Sequence, residues 1–172
     1  LAEVIKKHEG VYVMADEIYE HINYIGKHAS IAKIEGMKER SIIVNGVSKA
    51  YAMTGWRIGY IAAPEWIVKG CNKLQGQYTS GPCSVSQKAA EAAYTLEQGC
   101  VEDMRKAFER RRDLIVKLAK DIPGLEVNVP EGAFYLFPKC SSFFGKSNGE
   151  KTINNSTDFA LYLLEEAHVA TV

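Results

Sequence analysis

Residues 46–59 read Gly-Val-Ser-Lys-Ala-Tyr-Ala-Met-Thr-Gly-Trp-Arg-Ile-Gly, a run rich in small residues between two apolar, strand-like segments. Within this loop, Lys49 and Arg57 stand eight positions apart. A lysine amine can attack a carbonyl carbon, and an arginine guanidinium can hold a phosphate through paired hydrogen bonds. Together they predict a site for a phosphorylated cofactor that carries an aldehyde, and pyridoxal 5'-phosphate is the obvious candidate.

Three apolar runs surround this loop or precede it, and each has the length and composition of a buried strand. They are residues 11–15, 41–45 and 58–63. Continuous apolar runs of this kind are typical of parallel sheets that helices cover on both faces. Polar residues follow the first two runs directly, at the place where open α/β sheets bind their ligands. The pattern therefore predicts an α/β fold with a ligand site at one sheet edge.

The second half of the sequence predicts helices followed by a smaller α+β unit. Helical patterns cover residues 65–74, 84–98 and 101–122, and we expect the last two to form one long arm, kinked at Gly99. Strands are expected at residues 125–129 and 132–138, and Ser156 or Thr157 is expected to cap a helix that ends near Ala167. These boundaries predict one domain over residues 1–105 and a second over residues 106–172.

Composition narrows the possible partners and compartment. Apolar residues make up 47 % of the chain, and 21 basic side chains balance 21 acidic ones, which argues against nucleic acid or an anionic membrane as a partner. No apolar run approaches the roughly 20 residues of a membrane span. The four cysteines and four histidines lack metal-ligand spacing, so we expect reduced thiols, a cytoplasmic location and no metal.

The two ends of the sequence predict an internal piece of a longer protein. Residues 1–5 start within a helical pattern without an initial methionine, and Gly10 is the expected stop signal. Residues 169–172 are an apolar run typical of the start of a strand.

Three blocks of the sequence carry a resemblance to a known family. Residues 46–59 resemble the cofactor-lysine signature of the class I and II aminotransferases, which are fold-type I pyridoxal-phosphate enzymes. Residues 16–20, Asp-Glu-Ile-Tyr-Glu, and residues 131–135, Glu-Gly-Ala-Phe-Tyr, are similar to two further family blocks in the same order. The resemblance implies an α/β fold: part of the large domain, with a mainly parallel sheet and helices, and part of a smaller α+β domain, joined by a long helix.

The resemblance implies catalytic and cofactor-binding roles for three residues. Lys49 would form the Schiff base with the cofactor aldehyde and then carry a proton between the substrate and the cofactor. Asp16, expected as a buried carboxylate, would pair with the pyridine nitrogen, and Tyr19 would donate a hydrogen bond to the cofactor's 3'-oxygen. From local sequence alone, Asp16 is equally suited to capping the next helix, and Tyr19 to core packing.

Three more residues are implied in phosphate binding. Arg57 resembles the family's phosphate-binding arginine, for which a surface ion pair is the alternative. Gly46 stands where the family has serine or glycine, so a hydroxyl contact is lost there, and Ser48 can supply one instead. Phe134 and Tyr135 are equally suited to lining the cleft of the small domain or to its core.

The activity implied for the longer protein is transfer of an amino group between an amino acid and a 2-oxo acid. Residues 53–60 most resemble the bacterial aspartate branch, which implies aspartate and 2-oxoglutarate. An aromatic, alanine or kynurenine aminotransferase, a carbon–sulfur lyase of the same fold, and a cofactor-binding regulatory domain of a transcription factor remain alternatives. The family's phosphate cradle and substrate-carboxylate arginine lie outside this sequence, so we expect the chain alone to be inactive and the whole protein to be a homodimer.

Overall fold

The computed structural model describes residues 1–171, which divide into two compact units. Unit 1 comprises Leu1–Phe108 and Glu131–Ala133, and unit 2 comprises Glu109–Pro130 and Phe134–Val172, of which Val172 lies outside the described residues. Glu131–Ala133 therefore folds with unit 1, although the residues on both sides of it belong to unit 2. The domain boundary expected at residues 105 and 106 stays a prediction.

The sheet of unit 1 contains three strands in the order β1-β2-β3. They span Val13–Asp16 for β1, Ser41–Gly46 for β2 and Gly59–Ala62 for β3. β1 and β2 are parallel, with Asp16 opposite Val44. β2 and β3 are antiparallel, with Gly46 opposite Gly59. All three expected strands are present, but β3 runs antiparallel to β2. The connection at residues 47–58 contains only the 3-10 helix Thr54–Trp56, whereas parallel neighbours are usually joined through an α-helix.

The strands are less buried than their apolar sequences predict. Along β1, half-buried and exposed residues alternate, and Met14 is 74 % exposed. In β3 only Ile61 is half-buried, and the other three residues are exposed. The expectation of strands buried on both faces is therefore wrong for β1 and β3, which are the edge strands of this three-stranded sheet.

The contact between β2 and β3 depends on two glycines that face each other. A Cβ atom on Gly46 would lie 2.9 Å from the Ile58 carbonyl oxygen and 3.0 Å from the Gly59 Cα. A Cβ atom on Gly59 would lie 3.1 Å from the Asn45 carbonyl oxygen. Side chains at either position would push the two strands apart, so the chain reverses tightly here because both residues are glycine.

A small apolar cluster packs behind β1. Ala2 and Ile5 of helix α1 (Ala2–Ile5) pack with Met37, and Val13 and Ile31 adjoin them. Leu1 and Val4 of the same stretch are exposed, and the helix ends before Gly10, the expected stop signal, which has φ +80°. A four-residue helix is too short to be stable alone, so it owes its position to this packing.

Three helices follow the sheet: α2 (Glu65–Tyr78), α3 (Ser84–Thr95) and α4 (Gly99–Lys120). The expected helical arm with a kink at Gly99 is wrong in detail, because residues 96–98 separate α3 from α4 and Gly99 begins the second helix. Gln98 stabilises this break by donating to the carbonyl oxygens of Ala93 and Leu96. None of the helices in the described part of the chain is long and apolar enough to cross a membrane.

In unit 2, the two expected strands do not form. Glu126 and Lys139 make a single antiparallel bridge, with N–H to carbonyl distances of 3.2 and 2.9 Å. Apolar residues are present in both runs, but no longer ladder is made in the described residues. Helix α5 (Ser156–Ala167) is confirmed, although its cap is Asn155 rather than Ser156 or Thr157. Residues 169–171 are irregular, and the rest of the expected strand, Val172, lies outside the described residues.

We expect Gly46→Ala to lower the free energy of unfolding of the full-length protein by about 1–3 kcal/mol, because its Cβ must displace backbone atoms of β3. Gly55→Ala is the matched control, since nothing lies within 4 Å of a Cβ there. Its effect should stay within about 1 kcal/mol. Urea denaturation measures both variants, and equal stability of the two would contradict the steric argument.

Candidate active site

The sheet brings three of the predicted site residues to one edge. Because β1 and β2 are parallel, Asp16 at the end of β1 and the loop after β2 lie at the same edge. β3 runs antiparallel to β2, so the residues just before its first residue, Gly59, also lie there. Lys49 follows β2 by three residues and Arg57 precedes β3 by two. Residues from three separate positions in the sequence thus lie at the carboxyl edge of the parallel pair.

Small buried residues anchor the loop that carries Lys49. Val47 and Ala50 are 1 % and 3 % exposed, whereas Ser48 and Lys49 between them are half-buried. The Lys49 carbonyl accepts a hydrogen bond from the N–H of Ala52 at 3.2 Å, and the Thr54 hydroxyl donates to the Ser48 carbonyl at 3.0 Å. The backbone on both sides of Lys49 is therefore held by packing and by hydrogen bonds within the loop.

Arg57 has an unusual backbone conformation for a residue with a side chain. Its φ is +53°, in the left-handed region, and it follows the short 3-10 helix Thr54–Trp56. This conformation costs about 1 kcal/mol or more. The exposed guanidinium donates through Nη1 to the Thr54 carbonyl at 2.9 Å, so the side chain closes back on its own turn. Backbone strain of this kind concentrates at functional sites.

Asp16 and Tyr19 lie together in an open depression of about 290 Å³ in unit 1. The segment between them is a turn, in which the N–H of Glu20 donates to the Glu17 carbonyl and that of Ile22 to the Tyr19 carbonyl. Asp16 Oδ1 accepts from the Ile18 N–H at 3.1 Å. The aspartate therefore caps this turn, not a helix, and its exposed side chain corrects the expectation of a buried carboxylate.

The depression does not include every predicted site residue. Glu131, Gly132 and Ala133 line it beside Asp16 and Tyr19, whereas Gly46, Ser48, Lys49 and Arg57 are not among its described lining residues. Ser48, Lys49 and Arg57 belong to the loop between β2 and β3 at the same sheet edge, whereas Gly46 is the last residue of β2. Gly46 is buried and faces Gly59, so its demonstrated role is to permit the close approach of β2 and β3. The cofactor-binding roles of these residues stay predictions.

Sequence reasoning missed a buried polar link under this edge. Asn45 is only 6 % exposed, and its Nδ2 donates to Glu20 Oε1 at 2.7 Å. Its Oδ1 accepts from the N–H of Gly46 at 2.7 Å. Asn45 therefore ties the end of β2 to the turn after β1, which carries Tyr19. The sequence signal for this link is that Asn45 is a polar residue at the end of an apolar strand. That position alone does not reveal Glu20 as its hydrogen-bond partner.

A second missed pair is Glu17 with His28. The Glu17 side chain is 9 % exposed, and its Oε2 lies 3.0 Å from His28 Nε2. Buried carboxylates need a partner to offset desolvation, and the imidazole provides one here. The pair fixes the chain that follows the Asp16 turn. No group of three or more histidine, cysteine, aspartate or glutamate side chains in the described residues is arranged to hold a metal ion.

Comparison with known proteins identifies the family. The sequence model described as "Aminotransferase class I and II" matches residues 1–172, and the chain belongs to this family. It is 48 % identical to a bifunctional aspartate aminotransferase and glutamate/aspartate-prephenate aminotransferase of Petunia hybrida, covering 100 % of this chain and 37 % of that protein. It is 50 % identical to a probable aspartate/prephenate aminotransferase of Rickettsia bellii, covering 100 % and 44 %.

A solved structure agrees with the sequence comparison. The aspartate aminotransferase of Rhizobium meliloti superimposes with a TM-score of 0.92 at 46 % identity, over 99 % of this chain and 43 % of that one. The resemblance found in residues 46–59 and the α/β fold class are therefore confirmed. The chain spans about two fifths of the length of these relatives.

We expect Asn45→Ala to destabilise the full-length protein by about 2 kcal/mol, because it leaves the buried Gly46 N–H and the Glu20 carboxylate without their partner. Asn148→Ala is the control, since Asn148 also accepts hydrogen bonds from the main chain, those of Glu150 and Lys151, but is exposed. Water can replace its contacts, so its cost should be under about 1 kcal/mol. Thermal and urea unfolding distinguish the two, and equal losses would show that burial does not matter here.

Proposed function

We propose that the full-length protein is a pyridoxal-phosphate-dependent aminotransferase that exchanges an amino group between aspartate and 2-oxoglutarate. The observation that carries this proposal is the placement of Lys49, Asp16 and Arg57 at one sheet edge, in a chain that belongs to the class I and II aminotransferases. An amine, a carboxylate and a guanidinium are the three groups that an aldehyde, a pyridine nitrogen and a phosphate require.

The residues present fit this cofactor. The glycine pair at the β2–β3 contact leaves main chain without side chains beside the Lys49 loop. Arg57 is exposed and adopts a strained turn at the end of the same loop, which suits a side chain that must reach a phosphate. Asp16 and Tyr19 share one open depression, as expected of two groups that contact one aromatic ring.

Each residue then has a definite task. Pyridoxal phosphate supplies an electron sink for the charge that develops on the substrate α-carbon. Lys49 would hold the cofactor through its amine and would carry the α-proton of the substrate. Asp16 would keep a proton at the pyridine nitrogen, and Tyr19 would donate a hydrogen bond to the ring oxygen. Arg57 would bind the phosphate by charge-assisted hydrogen bonds, to which the Ser48 hydroxyl and the Gly46 backbone would add.

Aspartate is proposed as the amino donor because all three compared relatives carry it in their names. Two of those names also include prephenate, so prephenate is the second candidate acceptor. An aromatic aminotransferase of Pyrococcus horikoshii is also similar, with 41 % identity and a TM-score of 0.87, so an aromatic amino acid is the second candidate donor. None of the compared names supports the alanine or kynurenine aminotransferase, the carbon–sulfur lyase or the regulatory domain.

We further propose that the protein is a cytoplasmic homodimer, with residues 1–105 in its large domain and residues 106–172 in its small one. Helix α2 supports the dimer, since its Trp66, Leu74 and Tyr78 are 63, 62 and 84 % exposed. Exposed apolar side chains of this size are characteristic of interfaces. All four cysteines are free thiols, which supports a reducing compartment.

Borohydride reduction of the full-length protein with pyridoxal phosphate should attach the cofactor to Lys49, because the reduced bond to the amine is stable. Peptide mass spectrometry locates the label. Lys49→Ala should abolish both labelling and activity, whereas Lys117→Ala, at an exposed position of α4, should change neither. A label on another lysine in the unmodified protein would refute the assigned role of Lys49.

A panel of amino donors decides the substrate. With 2-oxoglutarate as acceptor, we expect aspartate to give a kcat/KM at least about tenfold above those of alanine, tyrosine and kynurenine, a difference of about 1.4 kcal/mol in transition-state binding. Prephenate should then be tested as acceptor with aspartate as donor. The 172-residue chain alone should show no turnover. A preference for tyrosine or alanine would overturn the aspartate proposal but not the family.

A further inference from the structure

Residues 131–133, which we call the strap, are held in unit 1 by main-chain hydrogen bonds. The N–H of Ala133 donates to the Ile22 carbonyl at 2.8 Å, and the N–H of Tyr24 donates to the Glu131 carbonyl at 2.9 Å. Between these bonds, Asn23 and Gly132 form an antiparallel bridge. The strap therefore pairs like a short strand with residues 22–24, which explains why it folds with unit 1.

The fit between the strap and residues 22–24 is close. A Cβ atom on Gly132 would lie 3.0 Å from the Ile22 carbonyl oxygen. Ile22 itself is only 2 % exposed, so the chain opposite the strap is firmly packed. A larger residue at position 132 would therefore move the strap and not its partner.

Tyr24 adds a side-chain tether at the end of the strap. Its hydroxyl donates to the carbonyl oxygen of Ala133, a residue whose φ of +55° is in the left-handed region. A residue with a side chain pays about 1 kcal/mol for that conformation, so it persists where neighbouring contacts hold it. The Tyr24 hydroxyl and the main-chain pairing are those contacts. Tyr24 itself is not among the described lining residues of the depression.

The strap forms a wall of the depression that contains Asp16 and Tyr19. We propose that Tyr24 is a positioning residue for the active site, which it reaches through the Ala133 carbonyl by holding the strap against this depression. The proposal rests on the function proposed above and deepens it, because it adds a determinant of substrate binding distinct from the cofactor residues. Tyr24 neither reacts nor binds the cofactor, so its effect is on the shape of the wall.

The test compares two ways of releasing the strap in the full-length protein. Tyr24→Phe removes the hydroxyl, and Gly132→Ala introduces the Cβ that contacts the Ile22 carbonyl. In each variant we expect the KM for the amino donor to rise about fivefold, as when only about a fifth of the molecules keep the strap in its binding position, while kcat changes by less than about twofold. In the double variant, KM should rise by less than the product of the two single increases, because both changes release the same segment.

Ser41→Ala is the matched control, since the Ser41 hydroxyl also donates to a main-chain carbonyl, that of Met37, at 2.7 Å and away from the depression. It should lower the melting temperature and leave KM unchanged. Unchanged KM values in both strap variants would overturn the proposal. A rise in KM for Ser41→Ala as large as the rise in the strap variants would overturn it as well.

Borohydride labelling of Lys49 is measured in parallel, so that failure of the proposed function is recognised separately. If the wild-type protein is labelled and active but the strap variants keep its KM, only the role of the strap is refuted. If the wild-type protein is not labelled, the proposed function is refuted. If Tyr24→Phe does not fold, Gly132→Ala with its control decides the question.

Discussion

Parallel pairing between β1 and β2 is the constraint on which the rest of unit 1 depends. It places the end of β1, with Asp16, beside the end of β2, where the loop with Lys49 begins. The antiparallel return of β3 then brings Arg57 to the same edge, and that return is possible because Gly46 and Gly59 face each other without side chains. If this register slipped by one residue, the glycine pair would be lost, and every side chain of the slipped strand would change face.

Two polar contacts reinforce this edge of the sheet. The buried amide of Asn45 joins the end of β2 to Glu20, and Glu17 pairs with His28 in the turn that follows Asp16. Glu17, Glu20 and His28 line the same depression as Asp16 and Tyr19, so both contacts reach the wall of the candidate site. The Asn45 amide is hydrogen-bonded through both its nitrogen and its oxygen. Satisfied buried polar groups of this kind make a site rigid, as catalysis by positioned groups demands.

Periodicity and composition predicted most helices and all three strands of the sheet, because these depend on local patterns of apolar residues. The apolar pattern failed to predict strands correctly where strand formation depends on a distant pairing partner. Residues 125–129 and 132–138 are as apolar as the real strands, yet Glu126 and Lys139 make only one bridge, and residues 131–133 pair instead with residues 22–24. A strand forms only when it pairs with another strand, and the local sequence does not indicate a partner more than a hundred residues away.

The sequence by itself determined the family, since Lys49, Arg57, Asp16 and Tyr19 occur in blocks whose residue types and spacing carry the signature, while the roles of these residues stay predictions. Tertiary structure alone decided which of them share a surface: Asp16 and Tyr19 line the depression with the strap, whereas Lys49 and Arg57 belong to the adjoining loop. It also decided that Tyr24 contacts Ala133 and that Asp16 is exposed. The reason is physical. Residue type sets what a side chain can do, but strand register and long-range hydrogen bonds set where it does it.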